Sequence, residues 1–281
     1  MTLTAENTSH FVELPSGRMH YHEAGSGHPL ILVHGSGAGA SGWSNFSPNI
    51  EALAEHFHVF AVDVIGWGES DAVKDGEFVG PVQIIEFMDA LGLDKAALVG
   101  NSMGGVISIA AAARHPERIS HLITMGPGVF TNIPPLFTAG DGPTEGIKIL
   151  LQAYLDPSVE TMKKLVSIMA FDPAMASDAI ATERARATLA RPDHIGNALQ
   201  GFKSGKLTGY QATPAEAAGI TAPSLLIHGR DDRVVPYEHT LRLVATIPNS
   251  RAVLLNRCGH WAQLEHADEF NRLVVDFVTN N

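Results

Sequence analysis

The chain is short of several things, and each shortage excludes something. It carries one cysteine, Cys258, in 281 residues, so no internal disulfide forms and a disulfide-stapled secreted scaffold is excluded. It has no long apolar run. The smoothest, residues 106–113, falls far below the ~20 residues that a membrane-spanning helix needs. It has no basic cluster: 19 Lys and Arg stand against 30 Asp and Glu, a formal net charge of −11. That balance argues against nucleic-acid or anionic-membrane partners, although a compact basic pocket for a small anion survives it. The first ten residues are polar and lack an apolar signal core, so a cytoplasmic location is the expectation. No G-K-[ST] ending occurs, and G-A-G-A-S-G at 37–42 is a lone G-x-G-x-x-G match, weak on its own. A phosphate-binding loop, and with it a nicotinamide or flavin, therefore has little support. No cofactor and no metal are expected.

What is present is an ordinary globular composition, 45% hydrophobic and 17% charged, ample for one large core. Residues 100–104 read G-N-S-M-G, between the apolar run 96–99 and the Ala-rich run 106–113. Strand, sharp turn and helix with Ser102 at the apex form the nucleophile-elbow pattern. A serine hydroxyl is a weak nucleophile at neutral pH and needs a base and an oxyanion stabiliser. The turn exposes the hydroxyl and aims the Met103 N–H at the place where negative charge develops.

The elbow requires an acid and a histidine, in that order. Residues 223–227 form a short apolar run ending in H-G-R-D-D-R-V-V-P, which offers Asp231 and Asp232 just past a strand end. The run 252–255 leads into N-R-C-G-H-W, where His260 follows a glycine in a loop. Singly, each residue has a bland explanation: loop serines are structural, Asp after a strand is usually a turn former, and the chain has 14 histidines. Jointly, the order and the strand-end placement point to a Ser–His–Asp relay. Cys258 is a second candidate nucleophile, but it has no elbow. After the strand at 30–33 comes H-G-S-G-A-G-A-S-G-W-S-N-F, residues 34–46, whose glycines permit close backbone approach to a ligand. In this architecture that loop gives the second oxyanion N–H, assigned to Ser36.

Turn residues P-S-G separate a hairpin at 11–14 and 18–22. Apolar runs at 30–33, 59–62, 97–99 and 122–125 alternate with helical stretches at 43–54, 82–91 and 103–115. Such alternation implies an α/β fold with a mostly parallel, doubly wound sheet. The alternation stops near Gly126. Residues 127–212 contain no convincing strand and read as an inserted helical lid, with 1–126 and 213–281 forming the core. Ile147, Leu150, Leu151, Tyr154 and Leu155 mark one lid helix face. Met162, Leu165, Val166 and Met169 mark another, capped by Asp156–Pro157. A third helix is expected from Asp172–Pro173 toward Ala190. Phe270, Val274 and Phe277 line one face of a closing helix at 268–279.

With these motifs in place, the chain resembles the α/β-hydrolases throughout and, within them, the meta-cleavage product hydrolases. The resemblance rests on residues 34–46, on V-G-N-S-M-G-G, on M-G-P-G at 125–128 and on P-T-E-G-I-K at 143–148. It rests also on G-R-D-D-R-V-V-P and on C-G-H-W-A-Q-L-E-H-A-D-E-F-N at 258–271. It selects Asp232 over Asp231, by its position relative to Gly229 and Pro236. It implies that Gly35, Gly37, Asn45, Asn101 and Trp261 contact substrate and that Arg184 binds a substrate carboxylate. Two departures stand out: Ala38 replaces a common proline, and the segment between Ser70 and Ala90 is short. Residues 129–142 carry little family signal and are expected to shape the group-specific pocket.

The resemblance implies hydrolysis of a C–C bond in a 2-hydroxy-6-oxohexa-2,4-dienoate. The products would be a 2-hydroxypenta-2,4-dienoate and a carboxylic acid. A homo-oligomer, dimer or larger, is the expectation. Two other readings stay open. A carboxylesterase or thioesterase would use the same triad without needing Arg184 or Asn45. A slow-turnover small-molecule receptor would keep the triad on the same scaffold.

Overall fold

The structure, a computed structural model, describes residues 2–73, 78–129, 143–204 and 210–281. Strands β1 (Ser9–Leu14) and β2 (Gly17–Gly25) form the expected hairpin, and β2 pairs antiparallel with β4 (His58–Val62). Every other pairing is parallel, through β3 (Pro29–Val33), β5 (Ala96–Asn101), β6 (Ile119–Met125), β7 (Ser224–Gly229) and β8 (Ser250–Leu255). The spatial order is β1-β2-β4-β3-β5-β6-β7-β8.

Strand periodicity builds the two faces. In β3, Leu30 and Leu32 pack with Phe46 and Leu53 of α1 (Gly42–Ala54) and with Phe270 and Val274 of the closing helix (Ala267–Asn280). Ile31 and Val33 point the other way. They pack with Ile84 and Phe87 of α2 (Val82–Ala90) and Ile107 and Ala110 of α3 (Met103–Arg114). Each such side chain is worth about 1.5–3 kcal/mol when fully buried. A helix layer on each face is what continuous apolar strands require.

The chain leaves β3 for β4 on one side and then crosses back to β5 on the other. That reversal opens a crevice at the carboxyl ends of β3 and β5, where ligands bind in doubly wound sheets. The loops leaving those two ends begin at His34 and at Ser102.

Between β6 and β7 lie α4 (Glu145–Leu155), α5 (Val159–Met169), α6 (Asp178–Leu189) and α7 (Pro192–Ser204), with no strand among the described residues. They enclose a third apolar cluster, including Leu150, Tyr154, Leu165 and Ala181. This cluster continues into Ala38, Val234, Val235 and Trp261 of the sheet domain. Three expectations are corrected here. Leu155 is 70% exposed, because it sits about 100° around the helix from Tyr154, off the buried stripe. The cap of α5 is Ser158, which accepts from the Thr161 N–H, while Asp156 braces the Ser158 and Thr161 hydroxyls. The single helix expected from Asp172 is broken: a short turn at Pro173–Met175 ends, and Ser177 caps α6 afresh. Of the segment 129–142, residues 130–142 lie outside the described residues, as do 74–77 of the shortened 70–90 stretch.

One buried carboxylate ties this end of the sheet together. Asp63, 1% exposed, accepts from the Gly42 N–H at 2.6 Å, the Glu69 N–H at 2.9 Å and His20 Nδ1 at 2.8 Å. It joins β4, the start of α1 and β2. Asp63→Ala strands three donors, two of them buried, and breaking a buried charge network costs about 3–5 kcal/mol. Urea denaturation of the variant is expected to show that loss; a deficit below about 1 kcal/mol, the worth of an ordinary surface change, contradicts the assignment.

Candidate active site

Ser102 stands where β5 turns into α3, at φ 51° and ψ −114°. A non-glycine residue there is strained, and the surroundings hold it. Its N–H donates to the Met125 carbonyl at 2.7 Å. The helix packs back tightly on the sheet: a Cβ on Gly104 would lie 2.0 Å from the Val33 carbonyl oxygen. Only glycine fits there, which explains the motif's last position. Ser102 makes no side-chain cap bond to α3. Met103 is the first residue of that helix, so its N–H precedes the helical ladder and has no partner within it.

His260 is carried by the loop after β8. Its N–H donates to the Met169 carbonyl at 2.6 Å, and its Nδ1 donates to Asp232 Oδ2 at 2.7 Å. This leaves Nε2 as the basic nitrogen. Asp232, and not Asp231, makes the contact. Its Oδ1 accepts the Val234 and Val235 N–H groups at 2.7 and 2.9 Å. Burial pushes the Asp232 carboxyl up, but the charge of His260 and hydrogen bonds from His228 and His260 outweigh it and hold the group below the usual carboxylate range. His228, which the sequence reading missed, lies 3.2 Å from Asp232 Oδ2 and is itself held by Thr240 Oγ1 at 2.7 Å. Its signal was faint: one histidine inside a strand. Gly126, at φ +55°, leaves room for the pair, since a Cβ there would stand 3.0 Å from His260 Nδ1.

Cys258 is fully buried, and burial pushes its thiol up, away from thiolate formation. It is no rival to Ser102. Glu265, also missed, accepts from the Gly259 N–H at 2.8 Å and the Phe171 N–H at 2.6 Å. It clasps the His260 loop to the helical segment.

Gly35, Ser36, Gly37, Asn45, Asn101, Ser102, Arg184, His260 and Trp261 all line one small cavity with Leu150 and Met169. Met103 and Asp232 stand just behind it, through Ser102 and His260. As it stands the cavity holds about 10 Å³, no more than a water. A larger cavity, about 560 Å³, is lined by Gly39, Ala40 and Ser41 of the loop after β3 together with His22, Arg191 and His194. The chemistry is assigned to the small one because the strained serine and the histidine are there.

Asn45 Oδ1 accepts from the Gly35 N–H at 3.4 Å, which fastens α1 to the loop. Asn101 Nδ2 reaches the Met125 and His260 carbonyls at 3.3 and 3.1 Å, while its Oδ1 is buried without a partner. Arg184 projects from α6 and is 6% exposed. Its guanidinium lies 5.1 Å over the Trp261 ring, and one of its terminal nitrogens stands 3.1 Å from where a Gly37 Cβ would be. Its Nε is buried and unpartnered, and no described carboxylate pairs with it. Burial lowers its pKa to about 10, so it stays charged at neutral pH. Arg186, two residues on, is exposed and paired with Glu183.

A family model described as the alpha/beta hydrolase fold matches residues 28–267. The 2-hydroxy-6-oxononadienedioate/2-hydroxy-6-oxononatrienedioate hydrolase 1 of Dechloromonas aromatica (strain RCB) is 40% identical, over 99% of this chain and 98% of its own length. The 2-hydroxy-6-oxo-6-phenylhexa-2,4-dienoate hydrolase of Burkholderia cepacia is also 40% identical, over 99% of both chains. Among solved structures, the meta-cleavage product hydrolase of Pseudomonas fluorescens IP01 superposes with a TM-score of 0.85 at 33% identity, covering 96% of this chain and 97% of that one. Sheet order, elbow and these likenesses agree: the chain belongs to the α/β-hydrolase fold family and, within it, to the meta-cleavage product hydrolases.

Proposed function

We propose that the protein hydrolyses the C5–C6 bond of a 2-hydroxy-6-oxohexa-2,4-dienoate. The observation that carries this reading is Arg184: a buried guanidinium without a carboxylate partner, in the same small space as Ser102. Burying an unpaired charge is costly. It is recovered when an anion binds, and the dienoate carries a carboxylate that a planar guanidinium grips through two charge-assisted hydrogen bonds. A simple esterase has no use for such a group.

The chemistry follows from the leaving group. Breaking a C–C bond by hydrolysis expels a carbanion, which is tolerable only if its charge delocalises. With the carboxylate on Arg184, the dienol ketonises: the 2-hydroxyl loses a proton and C5 gains one, for which His260 is the available base and acid. The resulting 2-oxo group is the electron sink. Ser102 Oγ then adds to the C6 carbonyl as His260 Nε2 takes its proton, and Asp232 stabilises the imidazolium. The Ser36 and Met103 N–H groups hold the oxyanion. Collapse breaks C5–C6, the electrons run into the 2-oxo system, His260 gives its proton to the resulting 2-oxyanion, and 2-hydroxypenta-2,4-dienoate leaves. Water, deprotonated by His260, releases the carboxylic acid from Ser102. Leu150, Met169 and Arg184 belong to residues 127–212, which act as the lid; the closed cavity implies that the lid shifts to admit substrate.

Ser102→Ala is expected to lower kcat by roughly three or more orders of magnitude, as loss of a triad member does, while the dienoate still binds and its absorption shifts. Turnover near wild type would remove Ser102 from the mechanism. Arg184→Ala is expected to lower kcat/KM for the dienoate about ten- to a hundred-fold, since hydrogen bonds to charged groups contribute roughly 1.5–3 kcal/mol. Hydrolysis of a small neutral ester should barely change, and Arg186→Ala should leave both substrates alone. Equal losses on ester and dienoate in Arg184→Ala would mean that Arg184 holds the lid together and does not read the substrate.

A further inference from the structure

We infer that Tyr154, on α4, is a positioning residue for the oxyanion loop: its hydroxyl, braced by Trp67, fixes the backbone at Ser36 from behind. The inference rests on the proposed role of the Ser36 N–H as an oxyanion donor.

The hydrogen-bond directions follow from the inventory of donors. The Trp67 indole N–H can only donate, and it does so to the Tyr154 hydroxyl oxygen at 3.0 Å. The Tyr154 hydrogen is thereby left for the Ser36 carbonyl, to which it donates. Tyr154 is buried, and burial pushes its hydroxyl up, so it stays a donor at working pH.

The preceding peptide is gripped as well. His34 Nε2 accepts from the Val64 N–H at 3.0 Å, which assigns the ring proton to Nδ1. Nδ1 donates to the Gly35 carbonyl at 2.7 Å. The Gly35 carbonyl and the Ser36 N–H share one rigid peptide plane; the Ser36 carbonyl belongs to the next. A residue has two soft dihedrals, and here the planes on both sides of the Ser36 Cα are each held by a side chain. The Ser36 N–H then cannot swing away from Ser102. The two grips touch, since the Trp67 and His34 rings meet edge to face at 6.3 Å.

Packing alone does not hold the loop on this side. The 560 Å³ cavity lies behind it, with Ala40, Trp67 and Tyr154 in its wall. Space is available for the loop to relax into if the hydroxyl is removed. Leu150, one turn before Tyr154, lines the space above Ser102, so the helix that meets substrate is the helix that holds the oxyanion loop.

The test is Tyr154→Phe, which keeps the ring and removes the grip. It is run beside Trp67→Phe, which leaves the Tyr154–Ser36 bond in place. Met162→Ala, a buried substitution in α5 away from the cavity, serves as a stability control. Each is assayed on 2-hydroxy-6-oxo-6-phenylhexa-2,4-dienoate and on p-nitrophenyl acetate, with Tm measured alongside. Complete loss of an oxyanion donor costs about 10²–10³ in kcat, so misplacing one is expected to cost Tyr154→Phe about 10- to 100-fold on both substrates, with KM within about 3-fold. Trp67→Phe should lose less than Tyr154→Phe, and Met162→Ala should lose Tm while keeping kcat. Wild-type kcat in Tyr154→Phe, or losses in all three variants that simply track Tm, would overturn the inference. If the wild-type protein cleaves neither substrate, the hydrolase reading has failed and this inference falls with it.

Discussion

The site depends on one strained residue. Ser102 is held in a backbone conformation that costs on the order of 1–3 kcal/mol, because β5 and α3 leave no other path between them. Strand and helix can approach so closely only where a glycine faces the Val33 carbonyl. From that single turn follow an exposed hydroxyl, a helix-first N–H on Met103 and a position at the reversal point of the sheet. The loops after β3, β7 and β8 then need only short reaches to bring Ser36, Asp232 and His260 to it.

The electrostatics divide into a settled half and an unsettled half. Asp232 is buried with His260, His228 and two backbone N–H groups around its oxygens, and its charge is fully answered within the protein. Arg184 is buried with an aromatic ring beneath it and no carboxylate of the described residues paired with it. A satisfied charge stabilises and orients. An unsatisfied one waits for a ligand, and the chemistry of that ligand follows from the charge: an anion flat enough to meet a guanidinium. The proposed division between machinery and recognition rests on this contrast between the two groups.

The sheet and the meeting of Ser102, His260 and Asp232 at one end of it were legible because both are written in local patterns. Continuous apolar runs, a G-N-S-M-G turn and a histidine after a glycine each declare themselves within a few residues. The hydrogen-bonded acid was less legible, since Asp231 and Asp232 are neighbours and the choice of Asp232 came from the family resemblance, not from the residues' own chemistry. The segment between β6 and β7 was read as helical, but its breaks were not. Ser158 replaces Asp156 as the cap of α5, and Asp172 caps only a short turn before Ser177 starts α6 afresh; such local choices between similar side chains leave little trace in periodicity. His228, Glu265 and the Tyr154–Trp67 pair were invisible for another reason. Each makes a hydrogen bond across 12 to 94 residues of sequence, and no spacing rule reaches that far.

The most direct test of the account is product stoichiometry. The purified protein is mixed with a large excess of 2-hydroxy-6-oxo-6-phenylhexa-2,4-dienoate, and benzoate and 2-hydroxypenta-2,4-dienoate are quantified as the yellow colour fades. The account predicts equimolar release of the two products over many turnovers per protein chain. A spectral change that saturates at one equivalent, with no benzoate formed, would contradict it and leave a binding protein on a hydrolase scaffold.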